Sequence, residues 1–487
     1  MAPLRLLAGL LLALAFAAGA QTPAAPEIPG EQAQRDLRIL KRAFTDLHPG
    51  LYRYATPAEI DAEFAAADAA VKNGSSRAEM LLTVSRLAAA VQCGHTWVSR
   101  YNQSPAVEKG LYGRDDKLPV ALRWVEGRAL VTGSADAAVK AGSELLAIDG
   151  RPVAEIRDAL LPMLRADGRH AGAQAKRLSQ LDSGANGGAM DRLFPLRFPP
   201  QGGRYRLRLL APGATQPEDV DVATTTQAAR EKAVPLEAAQ WSFRVDGDVA
   251  VLTLPTFAFW GQDFKADAFL ARTLNAIRRV PFLIIDLRRN EGGSDAIGRM
   301  VLAHLLPTPL EFPGYAVESA YERVPYVLAR YLDTWDFGFF DRTGQVTKGP
   351  GRNWRLPDAT PTRVEPREPR YPGRVIALVG PQNSSAGFLL ARDFKRTAAA
   401  TLVGQTTGGN LRGLNGGQLA WITLPASGVA VDIPLLASIH PGDVPDAGVE
   451  PDVRVAPSFA DAAAGRDTEM LAAFALIARW QGRAPKP

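Results

Sequence analysis

The sequence predicts a multi-domain α/β protein. Three observations point to it: helical periodicity from residue 31 to 91, strand-like alternation from 106 to 228, and short apolar strands alternating with helices from Trp241 onward. Repeated β–α units argue for a largely parallel sheet with covering helices, because parallel strands need a crossover between them. A length of 487 residues leaves room for two or three domains.

The elements follow in order. Residues 1–20 read as a secretory signal: Arg5 gives the positive end, Leu6 to Ala17 the apolar run, and Ala18-Gly19-Ala20 a small-residue cleavage site. The run is short for a bilayer span and no cysteine follows for lipid attachment. The expectation is therefore an exported protein, periplasmic or extracellular, without stable membrane insertion. Residues 21–30, rich in Pro and Ala, read as a flexible leader.

Residues 31–105 read as a helical domain. Leu37, Leu40, Ala43, Phe44 and Leu47 mark one face of its first helix, and His48-Pro49-Gly50 stops it, which places His48 at the surface. Further helices are expected around 57–72 and 76–91. The last runs into Gln92-Cys-Gly-His-Thr-Trp-Val98, so His95 follows a helix C-terminus, where the dipole favours a protonated imidazole.

A second module spans 106–228, with strands at 120–124, 129–132, 144–148, 204–210 and 220–224 and a helix at 153–164. The stretch between Asp167 and Phe198 is longer than such a module needs. A third region, 229–465, carries strands at 249–254, 282–287, 375–379 and 401–403 with helices at 265–278, 296–306 and 387–396. Residues 310–370 form an insertion rich in Tyr, Trp, Phe and Pro. Residues 466–487 read as a C-terminal helix and tail.

Composition narrows the function. Hydrophobic and charged contents of 46% and 22% are ordinary for a soluble globular chain, and the net charge of +5 is spread along it. No basic run interleaves with aromatics, so no nucleic-acid partner is expected. Cys93 is the single cysteine, so there is no internal disulfide, and at a helix end it reads as a small buried hydrophobe. His170 and His304 are isolated, with no Cys or carboxylate at metal-ligand spacing; no metal and no cofactor is expected.

Two strand-to-turn-to-helix segments carry the chemistry. In Val375-Ile-Ala-Leu-Val-Gly-Pro-Gln-Asn-Ser-Ser-Ala386 a buried strand turns into a helix that opens on two serines. A hydroxyl held there sits beside free backbone N–H groups able to stabilise an oxyanion. The competing reading is that Ser384 or Ser385 merely caps the helix. In Phe282-Leu-Ile-Ile-Asp-Leu-Arg-Arg-Asn-Glu-Gly-Gly293 the glycine pair allows close backbone approach to a ligand and can turn N–H groups toward one point.

Together these segments resemble the C-terminal-processing, or tail-specific, peptidase superfamily. Six matching pieces run in the family order: Gly94-His95-Thr96; Leu145 to Val153; Asp286-Leu-Arg-Arg-Asn-Glu-Gly-Gly293; Asn383-Ser-Ser-Ala386; Leu402 to Gly409; and Gly448-Val-Glu-Pro-Asp-Val453. Each motif alone is weak, but the ordered set is specific and covers nearly the whole mature chain. The resemblance implies a crotonase/ClpP-like ββα spiral core and a PDZ-like module at 106–228. It also implies peptide or unfolded-protein substrates.

Departures from the pattern select the branch. The processing branch pairs its serine with a lysine 25 residues on, and here that position is Asn410. No lysine occurs between Lys395 and Lys486. The resemblance then points to the tricorn-like and retinoid-binding-protein-like branch, whose histidine base matches His95. That branch carries a serine before its histidine, where this chain has Gly94. The supporting acidic residue maps onto Asp446 or, more weakly, Glu450. A glutamate common after the serine turn is replaced by Phe388. His440, in Ile439-His-Pro-Gly-Asp443, is the competing base.

The resulting expectation is a serine peptidase working through an acyl-enzyme. Ser385 attacks, His95 serves as general base and Asp446 supports it, with an oxyanion hole from Gly292, Gly293 and Ala386. The alternative is a non-catalytic protein binding a small apolar ligand or peptide on the same scaffold. A third reading, acyl-CoA chemistry, is disfavoured, since crotonases lack the helical and PDZ-like modules. Substrate, cleavage specificity and oligomeric state are not legible.

Overall fold

In the computed structural model, residues 26–483 are described except 180–187, 236–239, 313, 350, 358–360 and 441. The expected secretory signal and the final tail residues lie outside this set. Among the described residues no helix is long and apolar enough to cross a membrane. Within the expected leader, Ile28 is buried and pairs with Ser75, so this end is anchored to the helical region.

Three helices form at Gly30–Leu47, Pro57–Ala70 and Arg77–Ala90. The second and third each open on a capping box: Thr56 with Glu59, and Ser76 with Glu79. In each the hydroxyl accepts the third N–H while the glutamate accepts the N–H of the cap, satisfying two end groups at once. The first helix buries Leu37, Leu40, Phe44 and Leu47. Its Asp36 is also buried and accepts N–H groups from Ala426 and Ser427, fastening the helix to a distant turn.

An antiparallel sheet follows, with strands in spatial order Val120–Val125, Arg128–Ser134, Glu144–Ile148, Arg204–Leu210 and Glu218–Ala223. The outer pair alternates buried and exposed residues, with Tyr205, Leu207, Leu209 and Val222 facing inward, as a half-covered sheet requires.

The second sheet positions the chemistry. Its order is Val453–Arg454, Thr401–Gly404, Arg374–Val379, Phe282–Asp286, Val249–Thr253 and Ser242–Asp246, parallel except for the last hairpin. The central strands are buried on both faces. Ala250, Leu252, Leu283, Ile285 and Ala377 face the helices Ala266–Ile277, Asp295–Ala303 and Ser385–Thr397. Val251, Ile284, Ile376 and Leu378 face Ala473 and Ile477 of helix Thr468–Trp480. Strands at 282–286 and 374–379 pair in register Leu378 to Asp286. The two motif-bearing turns therefore leave neighbouring strands at the same sheet end.

Strands Leu419–Thr423 and Ala430–Pro434 were not anticipated. Their apolar side chains, including Ile422, Val431 and Ile433, join the core of the N-terminal helices, not that of the parallel sheet. The second strand also bridges Trp97, so it carries the segment that follows His95.

Candidate active site

The turn after helix Arg77–Ala90 is held at each residue. Gln92 adopts a left-handed φ of 54°, and its carbonyl accepts Gly168 N–H at 2.9 Å. Gly94 N–H donates to Asp167 Oδ1 at 2.8 Å, and Arg165 Nη1 donates to Gly94 O at 2.5 Å. Thr96 Oγ1 pairs with His48 Nε2 at 2.9 Å. His48 is thus fully buried, contrary to the expected surface position: the Pro-Gly stop folds inward under the turn.

Burial pushes His48 down to about 3, with Arg352 and Arg53 opposing its charge as well. Its ordinary value is 6.5. The neutral ring's contribution to stability is therefore complete above pH 6.5 and is lost as the pH falls from there toward 3. Thermal melts between pH 4 and 7 are expected to show a steeper acid loss for the wild type than for His48→Gln.

His95 emerges half-buried from this turn, its ring lying on Gly416, where an added Cβ would stand 3.2 Å from Cε1. Its Nδ1 is buried and has no hydrogen-bond partner among the described residues. Burial lowers its pKa; the Asp167 and Asp295 carboxylates raise it, and the Arg165 and Arg177 guanidiniums lower it further. Desolvation thus outweighs the helix dipole, and the imidazole is held neutral, the form a general base needs.

Helix Ser385–Thr397 begins with Ser385 at a φ of 47°, a left-handed conformation that costs a non-glycine residue about 1–2 kcal/mol. Ser384, at the N-cap, makes no side-chain cap bond; its hydroxyl donates to Glu291 O at 3.0 Å. Capping therefore explains neither serine. The strain at Ser385 turns its side chain out of the helix path, as a nucleophile elbow does. Buried Asn383 fixes the turn, accepting Gly380 N–H at 2.8 Å and donating to Leu287 O at 2.5 Å and Asn290 O at 3.2 Å.

The two glycines of the neighbouring turn have different roles. Gly292 N–H is already given to Asn290 Oδ1 at 2.8 Å, so it is not a spare oxyanion donor. Its contribution is the missing side chain: a Cβ there would stand 2.8 Å from both Ala386 N and Ser385 Cβ. Gly293 N–H is engaged by no acceptor among the described residues, and its backbone is pressed against Phe257. Ala386 N–H lies in the first helical turn, where no intrahelical carbonyl is available. Gly292→Ala, which fills the space beside the Ala386 N–H, is expected to lower kcat by about 10²- to 10³-fold. Steady-state kinetics with a thermal melt on the same sample checks that the loss exceeds any loss of fold.

Arg165 joins the two halves. Besides Gly94 O, it reaches Glu291 Oε2 at 3.2 Å, and it stacks 3.8 Å over the Trp97 ring. Glu291 is the residue whose carbonyl holds Ser384. The histidine turn, the glycine turn and the serine turn thus meet at one junction.

Asp446 accepts Asn410 Nδ2 at 2.7 Å, comes within 3.8 Å of Arg412 and stands beside Gly168, the residue after Asp167. Glu450 is exposed and accepts Thr406 Oγ1 at 2.6 Å. The carboxylate beside His95 is Asp167, which the sequence reading did not select. It lies in the stretch that seemed surplus to the second module, and it meets the histidine turn at Gly94. Asp167 is 4% exposed, and its Oδ2 has no hydrogen-bond partner among the described residues. His440 stands edge-on to Tyr315 at 5.8 Å and lines a surface cavity of about 550 Å³ with Tyr52, Arg352 and Arg412. Cys93 is fully buried, which raises its thiol pKa.

Residues 248–455 match the family model described as peptidase family S41. A comparison with curated proteins returns no match. Among solved structures, mature CPAF is similar at 16% identity, with 89% of this chain and 94% of that one covered and a TM-score of 0.60. A mutant of the same protein aligns at 15% identity over the same shares with a TM-score of 0.62. CPAF complexed with lactacystin gives 16% identity, 89% and 95% coverage and 0.59. At these identities the likeness speaks to the fold.

Proposed function

We propose that this chain, whose residues 248–455 match the model of peptidase family S41, is a serine-type peptidase of the C-terminal-processing superfamily with Ser385 as its nucleophile and His95 as its general base. The observation that carries this is the left-handed Ser385 at the helix start, beside a glycine turn that leaves room for an oxyanion. His95 Nε2 takes the hydroxyl proton as Oγ attacks the scissile carbonyl, then passes it to the leaving amine. Gly293 and Ala386 N–H groups hold the oxyanion. Water hydrolyses the acyl-enzyme with His95 again as base.

Asp167 serves as a positioning residue in place of Asp446. It faces the imidazole and, through Gly94 N–H, fixes the turn that carries it. Asp167→Asn is expected to lower kcat by about 10²- to 10⁴-fold. Because this carboxylate raises the His95 pKa, the residual activity should also keep its base form to lower pH. A pH–rate profile separates this from a purely structural loss, which would leave the acid limb in place.

We also read the antiparallel sheet as a PDZ-like module that holds extended peptide at an edge strand, 120–125 or 218–223. The parallel sheet we read as a crotonase/ClpP-like core, and residues 1–20 as an export signal for a periplasmic or extracellular enzyme. Substrates are peptides or unfolded protein segments. Hydrolysis of a broad peptide library by wild type, Ser385→Ala and His95→Gln tests the reading. It stands if only wild type cleaves, and it fails if Ser385→Ala cleaves equally well.

A further inference from the structure

We propose that Cys93, His95 and Asp167 form a binding site for a thiophilic divalent cation, zinc by its ligand chemistry, and that occupancy switches the general base off. One ligand atom from each residue lies within 4.8 Å of the other two. Some point is then within about 2.8 Å of all three, and inward shifts under about 1 Å reach zinc bond lengths of 2.0–2.3 Å. Sulfur, imidazole nitrogen and carboxylate oxygen are the donors zinc takes, and three protein ligands leave a fourth position for water.

A second observation points to a ligand. Among the described residues, Asp167 is 4% exposed yet its Oδ2 is unpartnered, and His95 Nδ1 is buried and unpartnered as well. Asp167 Oδ1 is already satisfied by Gly94 N–H at 2.8 Å, which holds the carboxylate in place while leaving the second oxygen to coordinate. Asn415, whose side chain contacts the Cys93 thiol, also carries a buried Oδ1 without a partner. Buried orphan polar atoms are rare because each costs free energy, so their convergence around one thiol needs an explanation.

The chemistry balances simply. The cation displaces the thiol proton of Cys93 to solvent and forms a metal–sulfur bond, with no change of oxidation state. It takes the lone pair of His95 Nδ1, so the ring's single proton must reside on Nε2. An imidazole in that tautomer has no free Nε2 lone pair and cannot accept the Ser385 proton. The binding half of the proposal is independent of catalysis; the inhibitory half rests on His95 as the base.

Cobalt(II) titration of the full chain tests binding, with thiolate-to-cobalt charge-transfer absorption as the readout. The expected result is one equivalent bound by wild type and by Ser385→Ala, displaced by zinc, with the band absent from Cys93→Ala. Absence of the band in wild type overturns the proposal. Asp167→Asn, read by the same spectrum, should weaken binding, and unchanged binding removes that ligand. In the peptide assay, zinc at ten times its Kd should cut wild-type activity about tenfold while sparing Cys93→Ala. Binding without inhibition defeats the switch. An inert wild type that still shows the band defeats the catalytic reading and leaves the site standing.

Discussion

Ser385→Ala is expected to lower kcat/KM for peptide hydrolysis by roughly 10⁴- to 10⁶-fold, the range that follows loss of a serine nucleophile. Its stability should hardly change, because the cap position is Ser384 and not Ser385, and alanine bears the same left-handed strain. Ser385→Gly separates function from fold further. It should be as inactive as alanine but more stable than it by up to about 1 kcal/mol, since glycine adopts a φ of 47° without the Cβ penalty. A capping serine would give the opposite pattern, with activity kept and stability lost. Chemical denaturation alongside kinetics reads both quantities on one preparation.

His95→Gln is the second large effect, with an expected loss of about 10³- to 10⁴-fold in kcat/KM. Glutamine fills much of the space on Gly416, so the turn should persist, held by Asp167, Arg165 and His48. The wild-type profile should carry an acid limb below the ordinary 6.5, because burial depresses this imidazole more than Asp167 raises it. Protonation on that limb removes the base, and His95→Gln should abolish the limb with the rate. His440→Gln is expected to stay within about twofold of wild type, since that ring packs edge-on against Tyr315 and lines a surface cavity. A large loss in His440→Gln with activity kept in His95→Gln would make His440 the base.

Much of this architecture was legible because it follows local periodicity. The face Leu37, Leu40, Phe44, Leu47 gave the first helix, and apolar runs such as Phe282 to Asp286 gave the central strands. The three motif turns were also legible, since glycine, asparagine and serine after a buried strand mark a tight strand-to-helix turn. What escaped depends on tertiary contacts. Ser384 and Ser385 are indistinguishable in sequence; only the bond from Ser384 to Glu291, 93 residues earlier, and the backbone sign at Ser385 divide them. Asp167 meets Gly94 across 73 residues, with no motif around it to mark the pairing. The Pro-Gly stop after His48 has the local pattern of a surface turn; only the contact with Thr96, 48 residues on, draws the ring inward. The glycine pair was recognised as a pair, yet Asn290 takes one N–H and leaves the other. Strands 419–423 and 430–434 went unseen because their partner core is contributed by helices more than 300 residues earlier.

Covalent labelling with a fluorophosphonate, followed by mass-spectrometric mapping of the modified residue, decides whether Ser385 is the nucleophile. The expected result is a single adduct on Ser385, absent from Ser385→Ala, retained in Ser384→Ala and formed much more slowly in His95→Gln. An adduct on Ser384, or peptide cleavage that continues in Ser385→Ala without any adduct, would contradict the account.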